Sequence, residues 1–373
     1  MITYSHSFAY REISFIMNPL LSNLTYKRTI ADVAEYLKKQ NIVSELNGKK
    51  LLVVGATGLI GTFLIDVLSN LNRSENANIY ITAVGRNKEK LQSLFSAYLN
   101  QDGFKIIPHD IKEPLPDYGN FDYIINAASN THPVAYSTDP VGTITTNVFG
   151  TYNLLEYARN HNIKRFMFLS SVEIYGEDKT GNSDFLETEI GFIDCNTARA
   201  GYPESKRVCE SLCQAYIQKY DMDIVIPRIC RVYGPTMLAE DSKALAQFIR
   251  NAVNGQDIIL KSEGTQYYSY ITVFDCITAL LTILVNGQKG QAYNVSSAKS
   301  NITLKDLTEK LASKADTKVV FQLPNETEKQ GFSKATRAIL NNTKLLSLGW
   351  TELYDIDKGI ETTLETIKGT LHD

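Results

Sequence analysis

From Lys49 onward, short apolar runs rich in β-branched residues alternate with longer stretches whose apolar residues recur at helical spacing. "KLLVVGATG" reads as a strand ending in glycines, followed by the helix "LIGTFLIDVLSNL". "NIYITAVG" is a second strand before the helix "NKEKLQSLFSAYL". "FKIIPHD" and "FDYIINAAS" are further strands, and "VFGTYNLLEYARNHN" is a helix leading to the strand "RFMFLSS". After Lys206 a long helix runs to Tyr220, and "DIVIPRI" supplies another strand. Strands that are apolar throughout are buried on both faces, so this alternation predicts an α/β fold, a doubly wound parallel sheet with helices on either side.

The flanks differ. Met1 to Ser22 has neither period and reads as a mobile tail, within which Met17 is a second start codon candidate. Ile30, Val33, Ala34 and Leu37 predict an amphipathic helix, or two short ones, over Thr29 to Leu46, ended by Gly48. Beyond Arg231 the alternation loosens into "SKALAQFIRNAVNG", "DIILK", "YSYITVFDCITALLTILVNG", "QAYNVSS" and "KVVFQL". Thr303 caps the helix "TLKDLTEKLASKA", and Trp350 closes a minor core. The expected organisation is an extension over 1–47, a nucleotide-binding domain over 48–230, and a smaller lobe over 231–373. A late strand and helix, about 268–286, return to the first domain.

Composition narrows the function classes. Lys and Arg number 38 against 41 Asp and Glu, for a formal charge of −3 and a pI near 6.0. No basic field is present to draw nucleic acid or anionic lipid. The longest apolar run, Cys276 to Val285, is interrupted by threonines and is far too short for a membrane span. Cys195, Cys209, Cys213, Cys230 and Cys276 form no metal-ligand or disulfide pattern, and no secretory leader is apparent. The expected location is the reducing cytoplasm. His109 and His132 stand without partners, so no metal site is expected.

Two constellations carry chemistry. Gly55, Gly58 and Gly61, in "GATGLIG", follow a strand and open a helix. Glycines there allow a tight turn and close backbone approach to a pyrophosphate, and the helix N-terminus presents free N–H groups to it, so Thr57, Gly58, Leu59 and Ile60 are expected to bind the cofactor. An acidic residue at the end of the second strand would bind ribose; Arg86 stands there instead and suits a 2′-phosphate, so NAD and NADP both remain open. Asp110 and Ile111 are placed to hold the adenine edge, and Ala127 and Ala128 to give a smooth wall near the nicotinamide ribose. The second constellation is "YPESK", which puts the Tyr202 phenol and Lys206 ammonium one helical turn apart, where the cation favours phenolate. "FLSSVEIYG" delivers hydroxyls at the carboxyl edge of the sheet.

Together "GATGLIG", "NAAS", "LSSVEIYG", "YPESK" and "RVYGP" resemble the extended short-chain dehydrogenase/reductase family, in its nucleotide-sugar epimerase/dehydratase branch, over Gly48 to Trp350. The resemblance implies a Rossmann domain holding a nicotinamide cofactor, a smaller α/β lobe gripping a nucleotide-diphosphate sugar, and a homodimer built on the Tyr202 and Thr151–Asn160 helices. It assigns Tyr202 as general base, Lys206 as ribose ligand, Ser171 as a hydrogen-bond partner of the sugar hydroxyl, and Asn147 as a residue near the cofactor. Glu173 resembles the glutamate of UDP-glucuronate decarboxylases and 4,6-dehydratases, whereas Val172 replaces the aspartate usual in dehydratases. Tyr268 occupies the place of a diphosphate-clamping arginine, and Arg231 that of an asparagine, so Arg231 is expected to supply the missing charge. Arg337 falls near a carboxylate-binding arginine of decarboxylases. Decarboxylation of a UDP-uronic acid is the leading expectation, followed by epimerisation and by NADPH-dependent reduction of an oxo-sugar. A cofactor-sensing scaffold is the non-enzymatic alternative.

Overall fold

The run Lys50–Val54 forms β1, buried from Leu51 onward, and later apolar runs line up parallel to it. The computed structural model describes residues 18–131, 138–177, 184–238, 241–322 and 336–371. Among these, the large sheet contains β1, β2 (Tyr80–Gly85), β3 (Phe104–Pro108), β4 (Tyr123–Asn126), β5 (Arg165–Phe168), β6 (Ser170–Ser171), β7 (Ile224–Ile229) and β11 (Ala292–Val295). Its order is β3-β2-β1-β4-β5-β7-β11, with β6 beside β7, and every pairing is parallel. Parallel strands put all their carboxyl ends on one edge. The order turns back between β1 and β4, which opens a crevice at that edge. The fold is therefore the doubly wound Rossmann arrangement that the alternation predicted.

Helices cover both faces. On one side lie α3 (Leu59–Glu75) and α8 (Val273–Asn286); on the other, α5 (Pro140–Asn160) packs along α6 (Gly201–Tyr220). α5 begins well before Val148, because Asp139 caps it by accepting from the Gly142 N–H and Pro140 fits its first turn. The short α4 (Lys88–Leu94) follows β2.

The N-terminal extension is two helices, α1 (Leu24–Lys39) and α2 (Ile42–Leu46), broken at Asn41 with φ +62°. α1 starts at Leu24 because the Asn23 side chain accepts from the Tyr26 N–H. Most of the stretch read as a tail, residues 1–17, lies outside the described residues; Pro19–Leu21 forms a 3₁₀ turn rather than tail. α1 packs on α3 and α8, on the face opposite α5 and α6. The Tyr26 and Tyr98 hydroxyls donate to the two oxygens of buried Asp66 on α3, at 2.5 and 2.9 Å. Burial pushes the Asp66 carboxyl up to about 7 even with those donors.

A smaller sheet starts one residue after β7. β8 (Arg231–Tyr233) pairs with β10 (Tyr267–Thr272), which also pairs with β12 (Asn301–Thr303) and β14 (Arg337–Ala338). β9 (Ile258–Leu260) pairs with β13 (Val319–Phe321). α7 (Ala244–Val253), α9 (Leu304–Ala315) and α11 (Ile356–Leu371) complete this half, while the short α10 (Thr343–Leu346) packs on β11. Thr303 caps α9 as its position implied, accepting from the Asp306 N–H. Of the late elements at about 268–286, the helix packs on the large sheet. The strand instead joins the smaller sheet through β8, and β11 takes the vacant edge beside β7. Trp350 is fully buried and donates from Nε1 to Thr278 on α8, which ties it to the main core rather than a minor one.

Candidate active site

The glycine turn sits at the crevice. Gly55 and Ala56 donate to the Val84 carbonyl of β2, which bends the chain at Gly55 to φ +82°. A Cβ on Gly55 would lie 2.7 Å from the Ala127 backbone, and one on Gly61 would lie 2.4 Å from the Gly55 carbonyl oxygen. The turn is thus closed against both its neighbours, and only glycine fits. Gly58 differs: a Cβ there meets only the Gly55 oxygen, at 3.4 Å, and its space opens outward. Gly58 is the N-cap of α3 with no side-chain cap, so the first amides of that helix, at Leu59 and Ile60, have no partner within it. Half-buried Thr57, Ala127 and Ala128 continue the floor. Arg86 is exposed at the end of β2, and Asp110 at the end of β3 accepts from the Lys112 N–H. Ile111 is buried against α5. A cradle of bare backbone with helix amides aimed into it suits the pyrophosphate of a dinucleotide.

Tyr202 is the second residue of α6, and three contacts fasten that helix start to the sheet edge. Lys206 donates from Nζ to the Leu169 carbonyl at 2.8 Å. Asn147 on α5 donates to the Ser205 hydroxyl at 2.8 Å, and its Oδ1 accepts from Ser129. Arg207 donates to the carbonyls of Ile174 and Gly191, both at 2.8 Å. Asn147 is therefore buried behind the site as a bolt between helices. Arg207 and Ser129, which the sequence reading passed over, act with it.

Ser171 ends β6, and its Oγ accepts from the Glu173 N–H, shaping the 3₁₀ turn Val172–Tyr175. That turn brings Ser171 and Glu173 to Tyr202, which is only 6% exposed. Burial pushes the phenol up to about 12; a hydrogen bond with Ser171 acts downward, the Glu173 charge upward and the Arg199 charge downward. Lys206 is directed to the sheet edge. Its long stem carries the ammonium to Leu169 and over the Phe168 ring, and burial pulls it down to about 8. Arg199, three residues before Tyr202, forms a 2.7 Å ion pair with Glu173. The sequence reading did not single it out.

Across the cleft, the Arg231 guanidinium stacks 3.5 Å from the centre of the Tyr268 ring. Its Nη1 is buried and, among the described residues, has no hydrogen-bond partner. Arg231 and Tyr270 are paired in register, so Arg231, Tyr268 and Tyr270 share one face of the smaller sheet. Glu173 acts electrostatically on Tyr268, which joins the two halves of the cluster. Arg337 pairs with Tyr267 on the opposite face, forms a 2.6 Å ion pair with Asp184, and is not brought to Arg231. His109 contacts the Glu113 carbonyl, and His132 lies outside the described residues. Among the described residues no cluster is arranged to hold a metal ion, and no helix is long and apolar enough to cross a membrane.

Residues 51–296 match the NAD dependent epimerase/dehydratase family. UDP-glucuronic acid decarboxylase 6 of Arabidopsis thaliana is 32% identical over 65% of this chain and 67% of its own length. UDP-glucuronic acid decarboxylase 1 of Danio rerio is 27% identical over 87% and 73%. Among solved structures, the dTDP-glucose 4,6-dehydratase of Streptomyces venezuelae with NAD bound superposes with a TM-score of 0.73 at 21% identity, covering 86% of this chain and 97% of that one. The UDP-glucuronic acid 4-epimerase of Bacillus cereus gives 0.72 at 21%, covering 86% and 99%.

The glycines separate cofactor binding from folding. Gly58→Ala is expected to melt within a few degrees of the parent yet bind NAD roughly tenfold or more weakly. Gly61→Ala is expected to lose about 1–3 kcal/mol of stability outright. Calorimetric titration with NAD and thermal melting check both; equal NAD affinity in Gly58→Ala contradicts the assigned cradle. Because the matched segment runs from the first strand of the large sheet through its last, the chain belongs to the NAD dependent epimerase/dehydratase family.

Proposed function

We propose that the chain decarboxylates a nucleotide-linked uronic acid, UDP-glucuronate foremost, by way of a 4-oxo sugar. The observation that carries this reading is the Glu173 carboxylate, set two residues after Ser171 and acting on the Tyr202 phenol. The names of the curated relatives favour the same substrate. Bound NAD supplies the hydride acceptor and, later, the donor. The Tyr202 oxygen takes the proton of the C4 hydroxyl as the C4 hydrogen departs, leaving a ketone β to the C5 carboxylate. The C5–carboxylate bond then breaks, its electron pair passing into an enolate while carbon dioxide leaves. Tyr202, now protonated, and Ser171 donate hydrogen bonds to the enolate oxygen, where preorganised donors count most. Water protonates C5, and Tyr202 returns its proton to O4 as hydride comes back to C4. Arg231, with its unpartnered buried nitrogen on the Tyr268 ring, is suited to hold the substrate diphosphate.

One observation favours a second reading. Arg337 is committed to Asp184 on the far face of the smaller sheet, so it does not offer a carboxylate partner beside Tyr268. Epimerisation of a neutral nucleotide sugar would need none.

We also infer a homodimer through α5 and α6. Val141, Ile144, Phe149 and Tyr152 on α5, with Val208 on α6, are exposed apolar side chains on the face away from the sheet. Light scattering is expected to give twice the 41.8 kDa chain mass, and Phe149→Glu to give the monomer; a monomeric parent contradicts the inference. The free thiols suit the cytoplasm, which cell fractionation checks.

Incubating the NAD-loaded protein with UDP-, CDP-, GDP- and dTDP-sugars and following product mass tests the reaction. Loss of carbon dioxide from UDP-glucuronate is expected. Unchanged mass with inverted C4 selects epimerisation, loss of water dehydration, and gain of two hydrogens reduction. Tyr202→Phe is expected to lose turnover by a factor of about a hundred or more while retaining NAD.

A further inference from the structure

We propose that Arg199 is a positioning residue that sets the charge felt by the Tyr202 oxygen, pairing with Glu173 to screen that carboxylate from the phenol. This rests on the reading of Tyr202 as the proton acceptor. Arg199 sits on the turn Ala198–Ala200, which runs directly into α6, so its backbone is fixed relative to Tyr202. Its Nη2 lies 2.7 Å from Glu173 Oε2, both side chains about a quarter exposed. Glu173 is in turn fixed by its N–H bond to Ser171. A carboxylate beside a phenol opposes phenolate formation, and a guanidinium on that carboxylate offsets the opposition.

The other charges around the site leave this task to Arg199. Lys206, on the same helix, has its ammonium on the Leu169 carbonyl and over the Phe168 ring. Arg231 on β8 is taken up by the Tyr268 ring of β10. Glu173 and Arg199, held together by their ion pair, act on Tyr202 in opposite senses. The first turn of the twenty-residue α6 adds a partial positive charge of its own, which no side-chain substitution removes.

Phenolate at one tyrosine can be read without substrate. The ultraviolet absorbance of the NAD-loaded protein is titrated against pH and corrected with the matching variant that also carries Tyr202→Phe. The difference reports Tyr202 alone. Arg199→Met is expected to raise the midpoint by roughly half to one pH unit, Glu173→Gln to lower it by a similar amount, and Arg199→Met with Glu173→Gln to return it close to the parent. Arg199→Lys is expected to keep most of the parental value. A purely structural arginine would lower the melting temperature and turnover at every pH while leaving the midpoint in place. Should Arg199→Met fail to fold, Glu173→Gln alone decides, since it keeps the arginine. A midpoint unmoved in the folded variants overturns the proposal. Failure of the parent to decarboxylate UDP-glucuronate would instead strike the reading of the reaction, because the titration needs no turnover.

Discussion

The start of α6 is bolted to the carboxyl edge of the parallel sheet, and the chemistry of the site depends on that attachment. Lys206 to Leu169, Asn147 to Ser205, and Arg207 to the carbonyls of Ile174 and Gly191 form three anchors within two helical turns. They hold Tyr202, buried and fixed, against the turn that carries Ser171 and Glu173. The Lys206 and Asn147–Ser205 anchors place their polar groups in a dry setting, where an unmade hydrogen bond costs about 1–3 kcal/mol. The arrangement therefore resists small displacements of the phenol, and an error of an ångström there is what a proton-transferring residue can least tolerate.

Burial has a consequence for charge. It pushes the Tyr202 phenol upward and the Lys206 ammonium downward, so each group resists its ionised form. If Tyr202 acts as the proposed base it needs compensation, and Ser171, Arg199 and the amino end of α6 all act in that direction. The smaller sheet brings up an arginine lying on an aromatic face, with one buried nitrogen unpaired among the described residues. On the proposed reading the two groups are unlike in character: one exchanges a proton, the other holds an anion.

Most of the large sheet could be read from the chain because its strands are apolar from end to end and its glycine turn has a single steric solution. The misreadings have local causes. The start of α5 was hidden since the segment "GTITTN" lacks an apolar stripe, although Asp139 and Pro140 form a sound helix start. The return of β11 rather than β10 to the large sheet depends on long-range pairing that a short run such as "AYNV" does not announce. Tyr202, Lys206, Ser171 and Glu173 were all visible as a motif. Their electrical relations were not, because where a lysine stem ends and which carboxylate an arginine meets are tertiary facts. Arg337 illustrates the same limit: a resemblance to decarboxylases suggested it for the site, but register put it on the other face of the smaller sheet.

The account holds that oxidation at C4 precedes any change at C5. Rapid mixing of the NAD-loaded protein with UDP-glucuronate, followed by nicotinamide absorbance and carbon dioxide release together, tests that order most directly. Absorbance of the reduced ring should rise before carbon dioxide appears and fall again as the pentose product forms. Carbon dioxide released with no such rise would contradict the account.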